Sequence, residues 1–426
     1  MVTTQWSHAQ SRKWEKVETA KQTISQTEAH FQEMLQDKAY NLGTDKQPSP
    51  RFGASSWQTG EGEWVLFSGA GFDPDGNWGL LDDMWKYSAS DNKWTLLSGQ
   101  RKVDTRKWSE QTELPIPRRN AVRWADNQGN LYLMGGIQLN DTEHFYDLWK
   151  YSVKAGIWNR LSGKTIANVN AVRGQQKGKD EDGNNPGSRS GAVTWTDKNG
   201  NLWLFGGANM DNAKGQQDLY NDLWTYSAKT GRWAWVSGSD KPNQKGKFKI
   251  KGDQEPNLAP SARTSAAAWY DDQTGKLWLY GGSGIDSTGM DSGGLSDLWS
   301  YDPGKNLWQW VSGSTELFAN NDNNQANPGY RWSAATWKDQ KGNFMLYGGQ
   351  NKVSATEVDI NPTVWKFDLQ KQKWTPLLVQ GTPGIMNEAE AFTDSSGELL
   401  LFGGRKFNPQ TRKGYPTNEI WKIKTN

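Results

Sequence analysis

The sequence contains no cysteine, only 3 histidines, and no apolar stretch long enough to cross a membrane as a helix. Without cysteine the chain cannot form disulfides, thiol nucleophiles or thiolate metal sites. A transmembrane helix needs ~20 consecutive apolar residues, which no segment approaches. The chain also lacks an excess of one charge, because it has 49 Lys and Arg residues and 47 Asp and Glu residues. The formal charge of +2 gives no general attraction to nucleic acid, so we predict no nucleic-acid partner.

Sequence signatures of catalysis are missing as well. The chain has neither a Gly-x-Ser-x-Gly nucleophile motif nor a phosphate-binding loop, and we expect no cofactor. Residues Met1 to Trp6 lack the apolar segment of a signal peptide, so we expect none in this chain.

Tryptophan and glycine are abundant, with 26 and 46 residues, although hydrophobic residues make up only 34% of the chain. A chain so poor in aliphatic residues must build its core from large rings. Each buried ring removes roughly 150–250 Å² from water, so a few rings in each structural unit are enough.

A pattern of short segments recurs along the chain. In each copy a pair of small residues ends an apolar run, and these pairs are Ser68-Gly69, Gly135-Gly136, Gly206-Gly207, Gly281-Gly282, Gly348-Gly349 and Gly403-Gly404. The runs before the pairs, such as Leu202 to Phe205, are too short for helices and predict strands buried on both faces. A Gly-containing or Asn-rich turn before the run predicts a hairpin with a preceding strand.

Tryptophan marks two further segments after each small pair. A third strand is predicted around Trp85, Trp149, Trp224, Trp299, Trp365 and Trp421, and a fourth around Trp94, Trp158, Trp233, Trp308 and Trp374. The sixth copy has no fourth strand after it, and the matching segment is Lys13 to Val17 near the N-terminus. We therefore predict an all-β, six-bladed propeller with four-stranded blades, in which this N-terminal strand completes blade six and removes exposed sheet edges.

These motifs resemble those of bacterial kelch-repeat propellers, as in Asn221-Asp222-Leu223-Trp224-Thr225-Tyr226 followed by Trp233-Ala234-Trp235-Val236-Ser237-Gly238. The resemblance implies a galactose-oxidase-like propeller, but the absence of cysteine excludes the copper site of that enzyme. It also implies a periplasmic or extracellular location. One propeller over residues 1–426 is expected, with a closing strand at 12–18, an arm or helical linker at 19–49, and blades at 50–99, 117–163, 187–238, 260–313, 329–379 and 384–426.

An arginine opens the first strand of every copy except the sixth, where Met386 stands; the arginines are Arg51, Arg118, Arg189, Arg263 and Arg331. The first strand of a kelch blade is the innermost. The functional interpretation is therefore a ring of arginines at one channel mouth, which accepts a carboxylate or phosphate ligand. In the structural interpretation, each arginine pairs with a carboxylate or with carbonyl groups of a neighbouring blade.

Further ligand contacts are expected where the loops after the small pairs meet the starts of the first strands. Ligands of other kelch proteins bind in this region. The residues here include Arg119, Trp332, Gln350 and Arg405. Aromatic rings beside arginine suit carbohydrate or peptide ligands.

The loop Asp73-Pro74-Asp75-Gly76-Asn77 has the alternating spacing of calcium ligands. However, the twelfth position holds Met84 instead of Glu, and the sixth holds Trp78 instead of Gly. We predict no metal, with Asp73, Asp75 and Asn77 kept as a calcium candidate.

The predicted function is that of a non-catalytic propeller that binds a protein, peptide or glycan through the long loops at one mouth of its channel. One alternative is a carbohydrate-active enzyme that resembles the bacterial sialic-acid mutarotases and uses Glu388, Glu390, Arg119 and Arg331. Another is a structural module that holds subunits together. Two positions apart on a strand, Glu388 and Glu390 would point the same way.

Overall fold

The computed structural model describes residues 12–17, 42–60, 62–104, 113–164, 166–211, 215–317, 327–352, 358–359, 362–384, 386–407 and 414–425. Every regular element in these ranges is a β-strand, between two and eleven residues long, so the described part of the chain is all-β as predicted. The described residues contain no helix with the length and hydropathy of a membrane span. Residues 19–41 of the predicted arm or helical linker fall outside the described ranges.

The strands of the first half of the chain are β1 (Arg12–Val17), β2 (Arg51–Phe52), β3 (Ser55–Gly60), β4 (Glu63–Phe67), β5 (Ala70–Phe72), β6 (Trp78–Leu80), β7 (Met84–Ser88), β8 (Lys93–Ser98), β9 (Val122–Ala125), β10 (Asn130–Met134), β11 (Leu148–Ser152), β12 (Ile157–Ser162), β13 (Val193–Thr196), β14 (Leu202–Phe205), β15 (Ala208–Asp211), β16 (Gln216–Leu219), β17 (Leu223–Ser227) and β18 (Arg232–Ser237). Those of the second half are β19 (Arg263–Thr264), β20 (Ala267–Tyr270), β21 (Leu277–Ile285), β22 (Ser292–Asp302), β23 (Leu307–Ser312), β24 (Ala335–Lys338), β25 (Phe344–Tyr347), β26 (Asn351–Lys352), β27 (Val358–Asp359), β28 (Val364–Asp368), β29 (Lys373–Leu377), β30 (Val379–Gln380), β31 (Met386–Asn387), β32 (Glu390–Thr393), β33 (Leu399–Phe402), β34 (Arg405–Phe407), β35 (Gly414–Pro416) and β36 (Ile420–Thr425).

Four-stranded antiparallel order is the common feature of the main sheets, as the hairpin signals predicted. We number them in chain order as sheet 1 (β3-β4-β7-β8), sheet 2 (β9-β10-β11-β12), sheet 3 (β13-β14-β17-β18), sheet 4 (β20-β21-β22-β23), sheet 5 (β24-β25-β28-β29) and sheet 6 (β32-β33-β36-β1-β30). In sheet 4, β19 also pairs with β21, and in sheet 6 the β1–β30 contact is parallel.

The N-terminal strand β1 pairs with β36, the last strand of the chain, in antiparallel order. Trp14 of β1 lies opposite Ile423, just as Trp94 lies opposite Tyr87 in sheet 1. The fourth-strand tryptophans of sheets 2 to 5 are likewise paired with a third-strand aromatic residue. Strand β1 therefore takes the register of a fourth strand.

The hydrophobic core lies between neighbouring sheets. The first strands β3, β9, β13, β20, β24 and β32 contact one another in this order, and β32 also contacts β3. Trp64 of sheet 1 stacks on Phe392 of sheet 6, with ring centroids 4.2 Å apart. Trp269 of sheet 4 stacks on Phe344 of sheet 5 in the same way, at 5.1 Å. Each sheet is thus covered by its neighbours.

One packing contact explains both the small pairs and a recurring alanine just before each first strand. A Cβ atom on Gly207 would lie only 2.9 Å from the Cβ of Ala192, and the φ of Gly207 is 95°. The second glycine of the other pairs faces Ala54, Ala121, Ala266, Ala334 or Ala389 at similar distances. A larger side chain here would push the first strand away from its sheet.

Short hairpins follow several of the small pairs and stand beside the starts of the first strands. They are β5–β6, β15–β16, β26–β27 and β34–β35, and in sheet 4 the long strands β21 and β22 continue into the same place. Backbone bridges join these hairpins and loops to the residues before the first strands, as between Trp332 and Gln350. They form the rim of the candidate site.

Candidate functional site

Four of the recurring arginines are buried and bind an aspartate of their own sheet. Arg118 donates from Nη1 to Oδ1 of Asp147 at 2.6 Å and from Nη2 to Oδ2 at 2.9 Å. Trp149 donates its indole N–H to the same carboxylate at 2.7 Å. The equivalent groups are Arg51–Asp83–Trp85, Arg189–Asp222–Trp224 and Arg263–Asp297–Trp299. The carboxylate comes from the same sheet, whereas the sequence suggested a neighbouring one.

The electrostatics of this Arg–Asp–Trp group are those of a buried ion pair. The side chains of Arg189 and Asp222 have no solvent exposure. Burial by itself raises the pKa of Asp222, but the guanidinium groups of Arg189 and Arg173 outweigh it and hold the pKa below its ordinary value. These arginines lie outside the lining of the central cavity described below.

Sheet 5 keeps the arginine but lacks the aspartate. Thr363 stands two residues before Trp365, where sheets 1 to 4 have Asp. Arg331 donates to the carbonyl oxygens of Pro328, at 2.6 Å, and Gly348, at 2.8 Å. Arg331 is buried and also lies outside the cavity lining.

Sheet 6 lacks the arginine and replaces the aspartate with Glu419. The carboxylate of Glu419 accepts the indole N–H of Trp421 at 2.9 Å. Lys406 and Lys16 donate to it at 3.0 and 2.6 Å, so lysines take the place of the missing guanidinium at Met386. Lys16 belongs to β1, which ties the N-terminal strand to this group.

A cavity of about 490 Å³ lies among the first strands of sheets 1 to 6. Three charged side chains line it: Glu388, Glu390 and Arg123. The rest of the lining consists of neutral residues within the segments 53–58, 120–125, 191–196, 265–268 and 333–336, together with Ala389. The structure thus brings together the two predicted glutamates but leaves the recurring arginines in the sheets.

One residue just before each first strand takes part in a series of backbone hydrogen bonds at the end of this cavity where the first strands begin. The residues are Gly53, Asn120, Gly191, Ser265, Ser333 and Glu388, and all have φ between 52° and 61°. The N–H of Asn120 donates to the carbonyl of Gly53, and the same bond links each later residue to the one before it, at 2.7–3.0 Å. We call these six residues the channel ring.

Glu390 and Glu388 have different surroundings. Glu390 begins β32, and its carboxylate accepts bonds from Ser56 and, at 2.7 Å, from Arg123. Burial raises the pKa of Glu390, against the opposing effect of Arg123 and Ser56. Glu388 precedes the strand and has a φ of 53°, so the expectation that the two glutamates share the alternation of one strand was wrong.

The Oε2 atom of Glu388 is buried and has no hydrogen-bond partner. Burial raises the pKa of Glu388, while the positive charges of Arg405 and Arg119 lower it and the charge of Glu390 raises it further. Arg119 pairs with Asp141, and burial lowers the pKa of its guanidinium. Arg405 lies with its guanidinium carbon 4.1 Å from the ring centroid of Phe52.

Two other predicted contacts lie on the rim. Trp332 and Gln350 exchange backbone hydrogen bonds of 3.2 and 2.9 Å, and both side chains are half-buried. The Oε1 atom of Gln350 accepts a bond from Asn387 at 3.2 Å. The cavity lining includes none of Arg119, Trp332, Gln350 and Arg405, and their role as ligand contacts stays a prediction.

The calcium candidate has its carboxylates in other interactions. Asp73 accepts the backbone N–H groups of Asp75 and Asn77, at 3.0 and 2.8 Å, and the side-chain amide of Asn77. Asp75 pairs with Lys102. Among the described residues, no group of three or more His, Asp or Glu side chains has an arrangement that could hold a metal.

Sequence reasoning missed the partner aspartates and the channel ring. The aspartates stand at a constant spacing, two residues before the third-strand tryptophan, so this signal was present in the sequence. The ring residues differ in type, and a left-handed conformation at Glu388 has no sequence signal.

A family model described as the KLHDC2/KLHL20/DRC7 Kelch-repeats domain matches residues 165–404. The match runs from the loop before sheet 3 to the small pair of sheet 6, which is more than half of the chain.

Proposed function

We propose that this chain, which belongs to the kelch-repeat family, binds a protein or peptide at the mouth marked by the channel ring. Kelch domains commonly bind proteins. The observation that carries the proposal is the buried Oε2 atom of Glu388, which has no hydrogen-bond partner. A buried acceptor left without a donor costs about 1–3 kcal/mol, and a ligand N–H or O–H group would remove that cost.

Side chains of mixed chemistry surround this atom and suit a peptide ligand. Arg119 and Arg405 supply donors, and Phe52 carries the guanidinium of Arg405 on its ring face. The ring of Trp78 is 42% exposed and lies with its centroid 5.9 Å from that of the buried Phe52, so one exposed aromatic ring adjoins this group. Peptide-binding sites commonly combine an aromatic surface with a few placed polar groups.

We also infer a single propeller of six blades, with sheets 1 to 6 as the blades and β1 as the closing strand of the sixth. The cyclic order of contacts among the first strands supports this inference, as does the fourth-strand register of β1. The channel ring then encircles the propeller axis at one end.

Site-specific photocrosslinking tests the binding mouth. Leu139 is 38% exposed on the rim loop of sheet 2, and Asn199 is exposed on the hairpin turn at the far end of sheet 3. With p-benzoylphenylalanine at either position, we expect a discrete protein adduct in source-cell extract from position 139 only. Adding Glu388→Ser to the position-139 protein should lower the adduct at least fivefold. Equal adducts from both positions, or an adduct indifferent to Glu388→Ser, would refute the proposal.

A carbohydrate-active enzyme is the second candidate, because Glu388 and Glu390 line one cavity and burial raises the pKa of both. Against it, Glu390 is already bound by Arg123 and Ser56, and Arg331 lies outside the cavity lining. A glycan array probed with the wild type and with Glu388→Ala separates the candidates. A glycan bound by the wild type and lost in the variant would favour the sugar ligand over the protein ligand.

A further inference from the structure

Glu388 has three energetically unfavourable features that the hydrogen bonds of the channel ring do not require. Its φ lies in the left-handed region, its carboxyl is desolvated, and its Oε2 atom has no hydrogen-bond partner. The equivalent residues of sheets 1 to 5 are Gly53, Asn120, Gly191, Ser265 and Ser333, and they maintain the ring without a carboxylate. The carboxylate is therefore available for a ligand.

The charges near Glu388 limit the chemistry of that ligand. Arg119 and Arg405 influence the carboxyl, yet among the described residues neither forms an ion pair with it. A cationic ligand would be repelled by these two guanidinium groups, and an anionic ligand would be repelled by the carboxylate. A neutral group that both donates and accepts hydrogen bonds suits both charges.

A second acceptor oxygen, Oδ1 of Asn120, lies near Glu388 and indicates how many N–H donors the ligand group has. A Cβ on residue 53 would lie 2.5 Å from Asn120 Oδ1, 3.1 Å from the Cβ of Arg119 and 3.2 Å from Glu388 Oε2, so both oxygens lie beside the α-carbon of Gly53. Two neighbouring acceptors match the two N–H donors of a primary amide. The carbonyl oxygen of that amide would then face the arginines.

We propose that the channel ring binds a primary carboxamide, the side chain of an asparagine or glutamine of the partner, through Glu388 and Asn120. This assignment rests on the proposed function and names the ligand group for the same mouth. Glycine at position 53 avoids the clash that a Cβ would make with Asn120 Oδ1, so both acceptors keep their places, and Arg119 or Arg405 donates to the carbonyl oxygen of the amide.

Small probes test the assignment on the full chain. Acetamide, N-methylacetamide, methylammonium and acetate are titrated while the indole N–H resonances of Trp57 and Trp124, which line the cavity, are followed in ¹⁵N-tryptophan-labelled protein. We expect saturable shifts with acetamide, at least threefold weaker binding of N-methylacetamide, and no saturable shift with either ion. Saturation by methylammonium or acetate instead of acetamide would overturn the proposal.

Substitutions at the channel ring test whether acetamide binds there. Glu388→Ser, Glu388→Gln and Gly53→Ala should each weaken acetamide binding at least fivefold. Gly191→Ala is the matched control, because Gly191 has the same φ of 61° in the same ring but lies in sheet 3. Glu388→Ser should also raise the melting temperature by about 1–2 °C, because it removes a desolvated carboxyl without a donor.

The outcomes separate this proposal from the function on which it rests. If position 139 still yields the adduct but acetamide does not bind, the carboxamide assignment fails and the binding mouth stands. Equal loss of acetamide binding in Gly191→Ala, or a lower melting temperature in Glu388→Ser, would also overturn the assignment.

Discussion

The Arg–Asp–Trp group places a guanidinium and a carboxylate where neither contacts water. In sheet 2 the side chains of Arg118 and Asp147 are both 0% exposed. Removing one partner of such a pair leaves an uncompensated buried charge, which is far more costly than removing both. The lysine version at Glu419 shows that other cations can take the place of the guanidinium beside this carboxylate.

Asp147→Asn should therefore lower the free energy of unfolding by about 3–5 kcal/mol, because the charge of Arg118 stays buried without its counter-charge. Urea denaturation followed by tryptophan fluorescence measures this loss. The double variant Arg118→Met, Asp147→Asn should recover part of it. Asp75→Asn is the control, because its pair with Lys102 is exposed, and it should change stability little. A loss in Asp147→Asn no larger than in this control would contradict the role given to the pair.

His144 gives the fold a pH dependence. It is fully buried, and burial, followed by the charge of Arg119, lowers its pKa to about 4. An unfolded histidine has its ordinary pKa near 6.5, so below that pH the unfolded state binds the proton more readily. The stability contributed by neutral His144 is complete above pH 6.5 and is lost as the pH falls towards 4.

Unfolding midpoints in urea should therefore fall more steeply between pH 7.5 and pH 5 in the wild type than in His144→Phe. The difference between the two proteins isolates His144 from the other titrating groups, including Glu388 and Glu390, whose raised pKa values act in the opposite direction. Parallel pH profiles would show that His144 does not titrate between the folded and unfolded states.

At the scale of elements, inter-repeat loops cover two outer strands. Gly178 donates its N–H to the carbonyl of Trp235 on β18 at 2.7 Å, and the ammonium group of Lys177 lies 4.3 Å from the Trp235 ring centroid. Lys251 and Gly252 repeat this contact on Trp310 of β23. In both sheets a Lys-Gly step pairs with the edge strand, which limits its availability to other chains.

Strand β1 covers the outer edge of β36 and can be tested by substitution. Trp14 is 3% exposed and lies 5.0 Å from the ring of Tyr347 in sheet 5. Trp14→Ala should lower the free energy of unfolding by about 3–5 kcal/mol, as other large buried truncations do. Lys13→Ala, on the exposed face of the same strand, should leave it nearly unchanged. Equal effects of the two substitutions in chemical denaturation would mean that β1 does not pack as a fourth strand.

Deleting residues 1–17 removes β1 and with it all of the pairing between β1 and β36. The freed edge of β36 is then a template for another chain, so we expect dimers or larger species by light scattering. A deletion variant that stays monomeric with an unchanged melting temperature would refute closure by β1.

At the scale of the whole molecule, the sheets were predictable and the channel was not. Strand order followed from signals that lie close together in the chain: small pairs, turns and tryptophans such as Trp85 and Trp94. The channel depends on contacts between residues of different repeats, such as Ser56, Arg123 and Glu390. No local pattern encodes that a side chain of sheet 2 reaches a carboxylate of sheet 6, and the sequence alone left open whether the recurring arginines line the channel or form ion pairs.

Because the cores lie between sheets, the proposed closure would make the six sheets one cooperative unit. The proposed closing interface contains Phe392, stacked on Trp64, and an ordinary interface contains Phe344, stacked on Trp269. Both phenylalanines are at most 3% exposed. If the ring is closed, Phe392→Ala and Phe344→Ala should each lower the free energy of unfolding by about 3–5 kcal/mol and preserve a single transition by fluorescence and circular dichroism. In an open array the terminal sheets would separate first. Phe392→Ala would then cost much less than Phe344→Ala, or produce a second transition, and either result would contradict closure.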